Sequence, residues 1–243
     1  MIDRNMKIQW VFIAVLLALT LSATTAARAT IPDLDVFKSP IDIYGHDMQF
    51  DIIRSGSKIG EHTVRFTDQD GGIVVESSSR MKIDILFFTA FRYQYDSRAV
   101  WRNGALENLT VSVDDDGALF SMNAKRQNQR LHIENGSEKY DTRLPVFPTN
   151  HWNPAVLGQS QVLNTLTGKL NNVTIRKTGK ENITTEAGSI PAMRYSYGGD
   201  LVNDVWYDDK GRWVKLRFHG RDGSLIEYVC RRCLGGKTSE MAQ

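Results

Sequence analysis

The spacing of turn residues constrains this chain more than any other feature. Gly56, Asp70-Gly71-Gly72, Asn103-Gly104, Asp116-Gly117 and Asn135-Gly136 punctuate the first half. Gly168, Gly179, Gly188, Gly198-Gly199, Asp209-Lys210-Gly211 and Asp222-Gly223 punctuate the second. Each offers the positive φ that a tight hairpin demands. The later intervals are near a dozen residues, the length of a short strand plus its turn. Runs rich in Val, Ile, Thr, Tyr and Phe fill the spaces, so the chain reads as an antiparallel meander.

Side-chain alternation agrees. From Phe91 to Trp101 the odd positions carry Phe91, Tyr93, Tyr95, Ser97, Ala99 and Trp101, while Arg92, Gln94, Asp96 and Arg98 fall between them. One face is buried and the other wet. Leu109, Val111 and Val113 alternate in the same way with Thr110, Ser112 and Asp114, as do Val214, Leu216 and Phe218 with Lys215, Arg217 and His219. No stretch of similar length carries an apolar period of 3.6, so helices are expected to be few and short. Ile83 to Phe91 is apolar on both faces, which fits a barrel corner or an apolar patch facing a partner.

Three of the six prolines, Pro145, Pro148 and Pro154, lie between Leu144 and Leu163. Proline has no N–H for a central ladder, so this stretch is a connection between two halves of the meander. Asn153 followed by Pro154 is an N-cap with proline at the first helical position, which predicts one short helix around Ala155–Gln161.

The N-terminus has the organisation of an export signal. Arg4 and Lys7 precede an apolar run from Trp10 to Leu19, and Ala27-Arg28-Ala29 has the small-x-small pattern of a cleavage site. The run stops short of the roughly 20 apolar residues of a membrane anchor, which remains the alternative reading. Cleavage after Ala29 leaves residues 30–243 as a single antiparallel β domain with 27 basic and 27 acidic side chains. That balance argues against nucleic acid as a partner. Hydrophobic residues at 41% and charged residues at 24% exclude disorder, collagen and coiled coil.

Cys230 and Cys233 are the two cysteines. In an oxidising compartment they form a disulfide if the chain turns after Val229; free thiols and a redox or metal role are the alternatives. Neither H-E-x-x-H nor a second cysteine pair occurs, so the spacing suggests no metal site and no cofactor. Among the five histidines, His151 stands out, since Trp152 and Asn153 flank it in the irregular connection. No G-x-S-x-G elbow, S-x-x-K pair or phosphate-cradling loop is present.

Phe50 to His62 (FDIIRSGSKIGEH), His151 to Pro154 (HWNP), Leu163 to Gly168 (LNTLTG), Val205 to Val214 (VWYDDKGRWV) and Asp222 to Val229 together cover nearly the whole mature chain. This combination resembles a family of uncharacterised exported bacterial proteins known as a domain of unknown function. The resemblance implies an exported antiparallel β domain from a Gram-negative-type bacterium. By looser likeness it implies the open, curved sheets of periplasmic lipid-handling proteins. It implies no activity, and the cysteine pair is outside its pattern.

The expected fold is all-β: a meander of roughly ten to twelve strands curled into a barrel or half-barrel, with one short helix in the Pro-rich connection. A curled sheet with an aromatic inner face encloses an apolar hollow. The first functional expectation is therefore a periplasmic or secreted binding or carrier protein for a lipid or other apolar ligand. Phe87, Phe91, Tyr93, Tyr95, Trp101 and Trp152 would contact that ligand. The second is an envelope-polymer hydrolase with His151 as acid or base and Asn153, Asn164 and Thr165 as polar positioners. The third is a structural envelope module whose sheet edge meets other envelope proteins.

Overall fold

Hairpin follows hairpin in the computed structural model, which describes residues 39–235 except 86–87, 137 and 186. The expected signal, residues 1–29, and Phe87 lie outside the described residues. Those described belong to one unit, Leu34–Gln243. A single helical turn, α1 (Pro40–Tyr44), precedes β1 (Asp47–Arg54), β2 (Ser57–Gln69), β3 (Gly72–Ile85), β4 (Phe88–Arg102), β5 (Ala105–Asp115), β6 (Ala118–Gln127), β7 (Arg130–Asn135) and β8 (Glu138–Arg143). After the Pro-rich connection come β9 (Gln161–Asn164), β10 (Lys169–Thr185), β11 (Gly188–Gly199), β12 (Asn203–Asp208), β13 (Trp213–His219) and β14 (Leu225–Arg232).

Four of the turns are made as the dipeptides predict. Ser55, Asp70, Asn103 and Asp116 have φ of 48, 50, 49 and 54°, and the glycines after them have φ of 88, 73, 73 and 91°. Two consecutive positive φ values match the right-handed twist of the flanking strands. The strand count is higher than expected, 14 rather than ten to twelve. One reason is Asn128, which takes φ of 56° without a glycine and so makes the β6–β7 turn with no glycine signal.

All 14 strands join one antiparallel sheet in the order β8-β7-β6-β5-β4-β3-β2-β1-β14-β13-β12-β11-β10-β9. Every pairing is between sequence neighbours except β1 with β14, which joins the start of the meander to its end. The sheet is open, with β8 and β9 as its edges. The seam between them is bridged by other means. Asn135 Nδ2 donates to the carbonyls of Thr167 and Gly168, each at 3.1 Å, and the Tyr140 hydroxyl donates to the Gly168 carbonyl at 2.6 Å. Chain from Phe147 to Thr149 also pairs with Leu163.

Strict alternation of strand direction sorts the turns onto two ends. One end carries α1, the β2–β3 and β4–β5 turns and the Cys230–Cys233 disulfide, and here the Pro-rich connection leaves β8. The other carries the β1–β2, β5–β6, β11–β12 and β13–β14 turns.

The inner wall is apolar where alternation placed it. Val64, Phe66, Val75, Ala99, Trp101, Leu109, Val111, Val205 and Leu216 are all buried. So many strands enclose more space than wall side chains can fill. The Pro-rich connection takes up that space. Trp152, 3% exposed, packs edge-on against Trp101 and Phe66 at centroid distances of 5.4 and 5.6 Å. The Tyr44 hydroxyl donates to the Trp152 carbonyl at 2.8 Å, and the Tyr207 hydroxyl donates to the His151 carbonyl at 2.7 Å. The expected hollow is thus plugged from one end. The short helix is a 3₁₀ turn, Pro154–Gly158, whose Asn153 side chain accepts from the Ala155 amide at 3.0 Å.

Trp206 is buried on the opposite face of the sheet, beneath Lys215 and Arg217 at 5.4 and 5.2 Å from its ring. Beyond Met81 and Tyr93, the β3–β4 hairpin continues past the pairings of β2 and β5, which is how the doubly apolar Ile83–Phe91 stretch is accommodated.

Two substitutions test this architecture. At Gly60 a Cβ would meet the Arg80 carbonyl oxygen at 2.0 Å, so Gly60→Val should cost roughly 2 kcal/mol or more in urea unfolding. Asn135→Ala removes both seam bonds of that side chain and should cost about 2 kcal/mol, with faster amide hydrogen exchange in β9. Unchanged exchange in β9 would show that the seam is held otherwise.

Candidate functional site

The end away from the plug is lined differently from the rest of the barrel. Tyr93 from β4, Phe120 from β6, Phe218 from β13 and Tyr228 from β14 pack against the core yet remain partly exposed, with Phe91 beyond them on the β3–β4 extension. Register explains their common level. Tyr93 pairs with Asp115 at the end of β5, Val113 with Phe120, Phe218 with Ile226 and Leu216 with Tyr228. At the rim, Arg221 of the β13–β14 turn pairs with Asp115 of β5, joining two walls distant in sequence. Arg54 pairs with Asp222 on the same rim.

Beneath these rings lies a set of buried, uncharged polar groups. His62 Nδ1 is 2.8 Å from Ser79 Oγ, and the Ser79 hydroxyl also hydrogen-bonds Tyr228. On the facing wall, Tyr197 of β11 pairs in register with Asn203 of β12. The imidazole of His151, at the tip of the plug, stands edge-on to the Tyr197 ring at 5.8 Å and 5.6 Å from the Trp213 ring. His151 Nδ1, Tyr197 Oη and Asn203 Oδ1 are buried and have no hydrogen-bond partner in the protein. Ser77 Oγ and Ser97 Oγ, inward on β3 and β4, are likewise buried without a partner, and because buried polar atoms are so generally satisfied, such orphans call for an explanation.

Burial sets the electrostatics of the site. Desolvation pulls His62 down to about 3, with the nearby His151 adding to the effect, and pulls His151 down to about 4. Both are therefore neutral at pH 7. Desolvation also pushes Tyr228 up to about 12 and raises Tyr93, Tyr95 and Tyr197, so these phenols stay protonated. Asp208 is the one carboxylate among the buried polar residues described, and Arg212 and turn amides hold it at the plugged end.

Of the expected ligand contacts, Phe91, Tyr93, Tyr95 and Trp101 belong to β4 and Trp152 to the plug, at different depths, and Phe87 lies outside the described residues. Phe91 and Tyr93 are near the rim. Tyr95, whose hydroxyl donates to Asn150 Oδ1 at 3.2 Å, is deeper and buried, and Trp101 and Trp152 are in the packed core beneath. The expected positioners around His151 are not gathered on its ring. Asn153 caps the 3₁₀ turn, the Asn164 side chain accepts from the Leu166 amide, and Thr165 Oγ1 meets Thr149 Oγ1 at 3.2 Å. Sequence reasoning missed His62, Ser79, Tyr197, Asn203 and Tyr228. His62 closes the FDIIRSGSKIGEH string, which was the available signal for it; the others sit in ordinary strand patterns. Two depressions of about 470 and 400 Å³ lie away from this site, the first on the outer face of β2–β5.

The histidines give a pH test. Each titrates near 6.5 when unfolded and well below that when folded, so the unfolded chain binds more protons between pH 6.5 and about 4. Stability is then full above pH 6.5 and falls as the pH drops, by up to ~1.4 kcal/mol per pH unit for each histidine. Urea unfolding across pH 4–7.5 should show this slope, and His151→Gln should remove part of it. An equal slope in the variant would mean that His151 titrates freely.

The chain matches the family model described as Domain of unknown function (DUF6134) over residues 50–231. No curated protein matches it. Among solved structures it is similar to a β-barrel-like protein of domain of unknown function DUF1849 from Brucella abortus. The TM-score is 0.53 at 9% sequence identity, with 78% of this chain and 96% of that chain covered. That likeness is one of fold, and it agrees with an open, barrel-like sheet. The family match runs from within β1 to within β14, residues 50–231, and so spans the whole sheet and the Pro-rich connection: the chain belongs to the DUF6134 family.

Proposed function

We propose that this protein is an exported binding protein that takes an apolar or amphipathic small molecule, a lipid among them, into the open end of its barrel. The observation that carries the reading is the set of inward-facing aromatics, Tyr93, Phe120, Phe218 and Tyr228. They stay partly exposed while the interior beyond them is filled by the plug. Inward apolar side chains normally pack out of water, and burying the area these still expose would gain roughly 25 cal/mol per Å². A ligand seated among them supplies that burial, and the plug limits how deep it can go. It therefore lies in the upper cup and not in a through-channel.

Export is supported by the basic, apolar and small-residue order of the first 29 residues, with the periplasm as destination. The Cys230–Cys233 disulfide suits an oxidising compartment. A hydrolytic role for His151 draws no support from its surroundings, because the ring is buried between Tyr197 and Trp213 with Asn153, Asn164 and Thr165 committed to local turns.

Protein purified from a bacterial envelope should release a bound small molecule on solvent extraction. The extracted protein should bind the neutral dye N-phenyl-1-naphthylamine, and Phe218→Ala should weaken that binding by about tenfold. If native mass spectrometry finds only bare protein and the dye gives no signal, the binding reading fails. The structural envelope module would then be the better account.

A further inference from the structure

We infer that the polar end of the bound molecule is uncharged, a hydroxyl or carbonyl group held by His151, Tyr197 and Asn203. The inference rests on the binding reading above and names the ligand class. Three orphaned polar atoms, His151 Nδ1, Tyr197 Oη and Asn203 Oδ1, come from the plug and two adjacent strands. The first two side chains are 4% exposed and the third 9%. They lie on the inner face at the level where β11 and β12 approach the open end.

The three atoms are complementary to one small neutral group. The tyrosine hydroxyl can donate or accept, the amide oxygen accepts, and the imidazole nitrogen takes either role according to tautomer. A ligand hydroxyl can accept from Tyr197 while donating to Asn203, and a ligand carbonyl can accept from Tyr197 and His151. Across the cup, the Ser79 hydroxyl is already engaged with His62 and Tyr228, whereas the Ser77 and Ser97 hydroxyls of β3 and β4 are unpartnered and can take a second polar group of the same ligand.

A charged head group finds no counter-charge here. No lysine or arginine is among the buried residues described. Both buried histidines are neutral because burial disfavours their charged form. The rim cations Arg54 and Arg221 are paired with Asp222 and Asp115. An ion carried below the rim would lose its hydration without a partner, whereas a hydroxyl or carbonyl exchanges water for the three waiting groups.

The experiment compares a monoacylglycerol with the fatty acid of the same chain length at pH 8, by equilibrium dialysis of each, kept monomeric, against the purified mature protein. The monoacylglycerol should bind at least about tenfold more tightly. Tyr197→Phe removes only the orphaned hydroxyl. It should weaken monoacylglycerol binding about fivefold while leaving thermal stability unchanged or higher, because no bond within the protein is lost. Equal or tighter binding of the fatty acid, or a Tyr197→Phe variant that binds the monoacylglycerol like the parent, overturns the inference. In that case N-phenyl-1-naphthylamine binding, if retained, leaves the broader reading standing. If neither lipid nor the dye binds, both fall together.

Discussion

The rest of the structure depends on the filling of a wide lumen by the chain's own connection. Fourteen strands curl around more space than their side chains can occupy, and an empty apolar interior would forfeit dispersion contacts along its whole lining. The segment from Leu144 to Ser160 answers this by turning inward. Its prolines have no N–H to offer a ladder, so apart from a short pairing of residues 147–149 with Leu163 the segment leaves the sheet, and Val146, Phe147, Trp152 and Val156 are all buried. Two tyrosine hydroxyls, from α1 and β12, fix the backbone of His151 and Trp152 at the core. Without those bonds the two carbonyls would be buried and unpaired. The plug is thus a structural necessity before it is anything else.

A functional asymmetry follows from that necessity. Because the plug enters from one end, it leaves the opposite end with an apolar wall and, among the described residues, no covering element. Where the plug stops, at His151, buried polar groups of the plug and of β11 and β12 come together on the inner face. The neutrality of this floor is equally a product of burial. The same desolvation that keeps His62 and His151 unprotonated keeps the tyrosines protonated, so the cup is polar without being charged. Apart from the buried Asp208–Arg212 pair at the plugged end, most described ion pairs lie on the rim and outer face, where they are screened and contribute little to stability.

Much of the wall was legible in the sequence, because strand periodicity and turn chemistry are local. Tyr95, Ser97, Ala99 and Trp101 face inward as their spacing required, and Asp70-Gly71 or Asn103-Gly104 turn as their φ freedom allows. Asn153 and Pro154 likewise announced their short helix, although it closed as a 3₁₀ turn. The site was far less legible. His151 drew notice for its unusual neighbours, yet its role as the tip of a plug depends on Tyr197 and Trp213, which lie far along the chain. His62 and Ser79 face each other only because Phe50, His62, Ser79 and Tyr95 fall into register across four strands.

Sequence alone therefore determined that this chain makes an antiparallel sheet with one wet and one oily face, since those properties arise within a few consecutive residues. Only the tertiary structure decided that the ends of the meander pair as β1 and β14, and that the Pro-rich connection fills the lumen rather than spanning it from outside. It also decided which polar atoms are left unpaired at the floor of the cup. These outcomes are set by contacts between residues a hundred or more positions apart, such as Tyr44 with Trp152 and Phe50 with Trp213, whose energy no local pattern encodes.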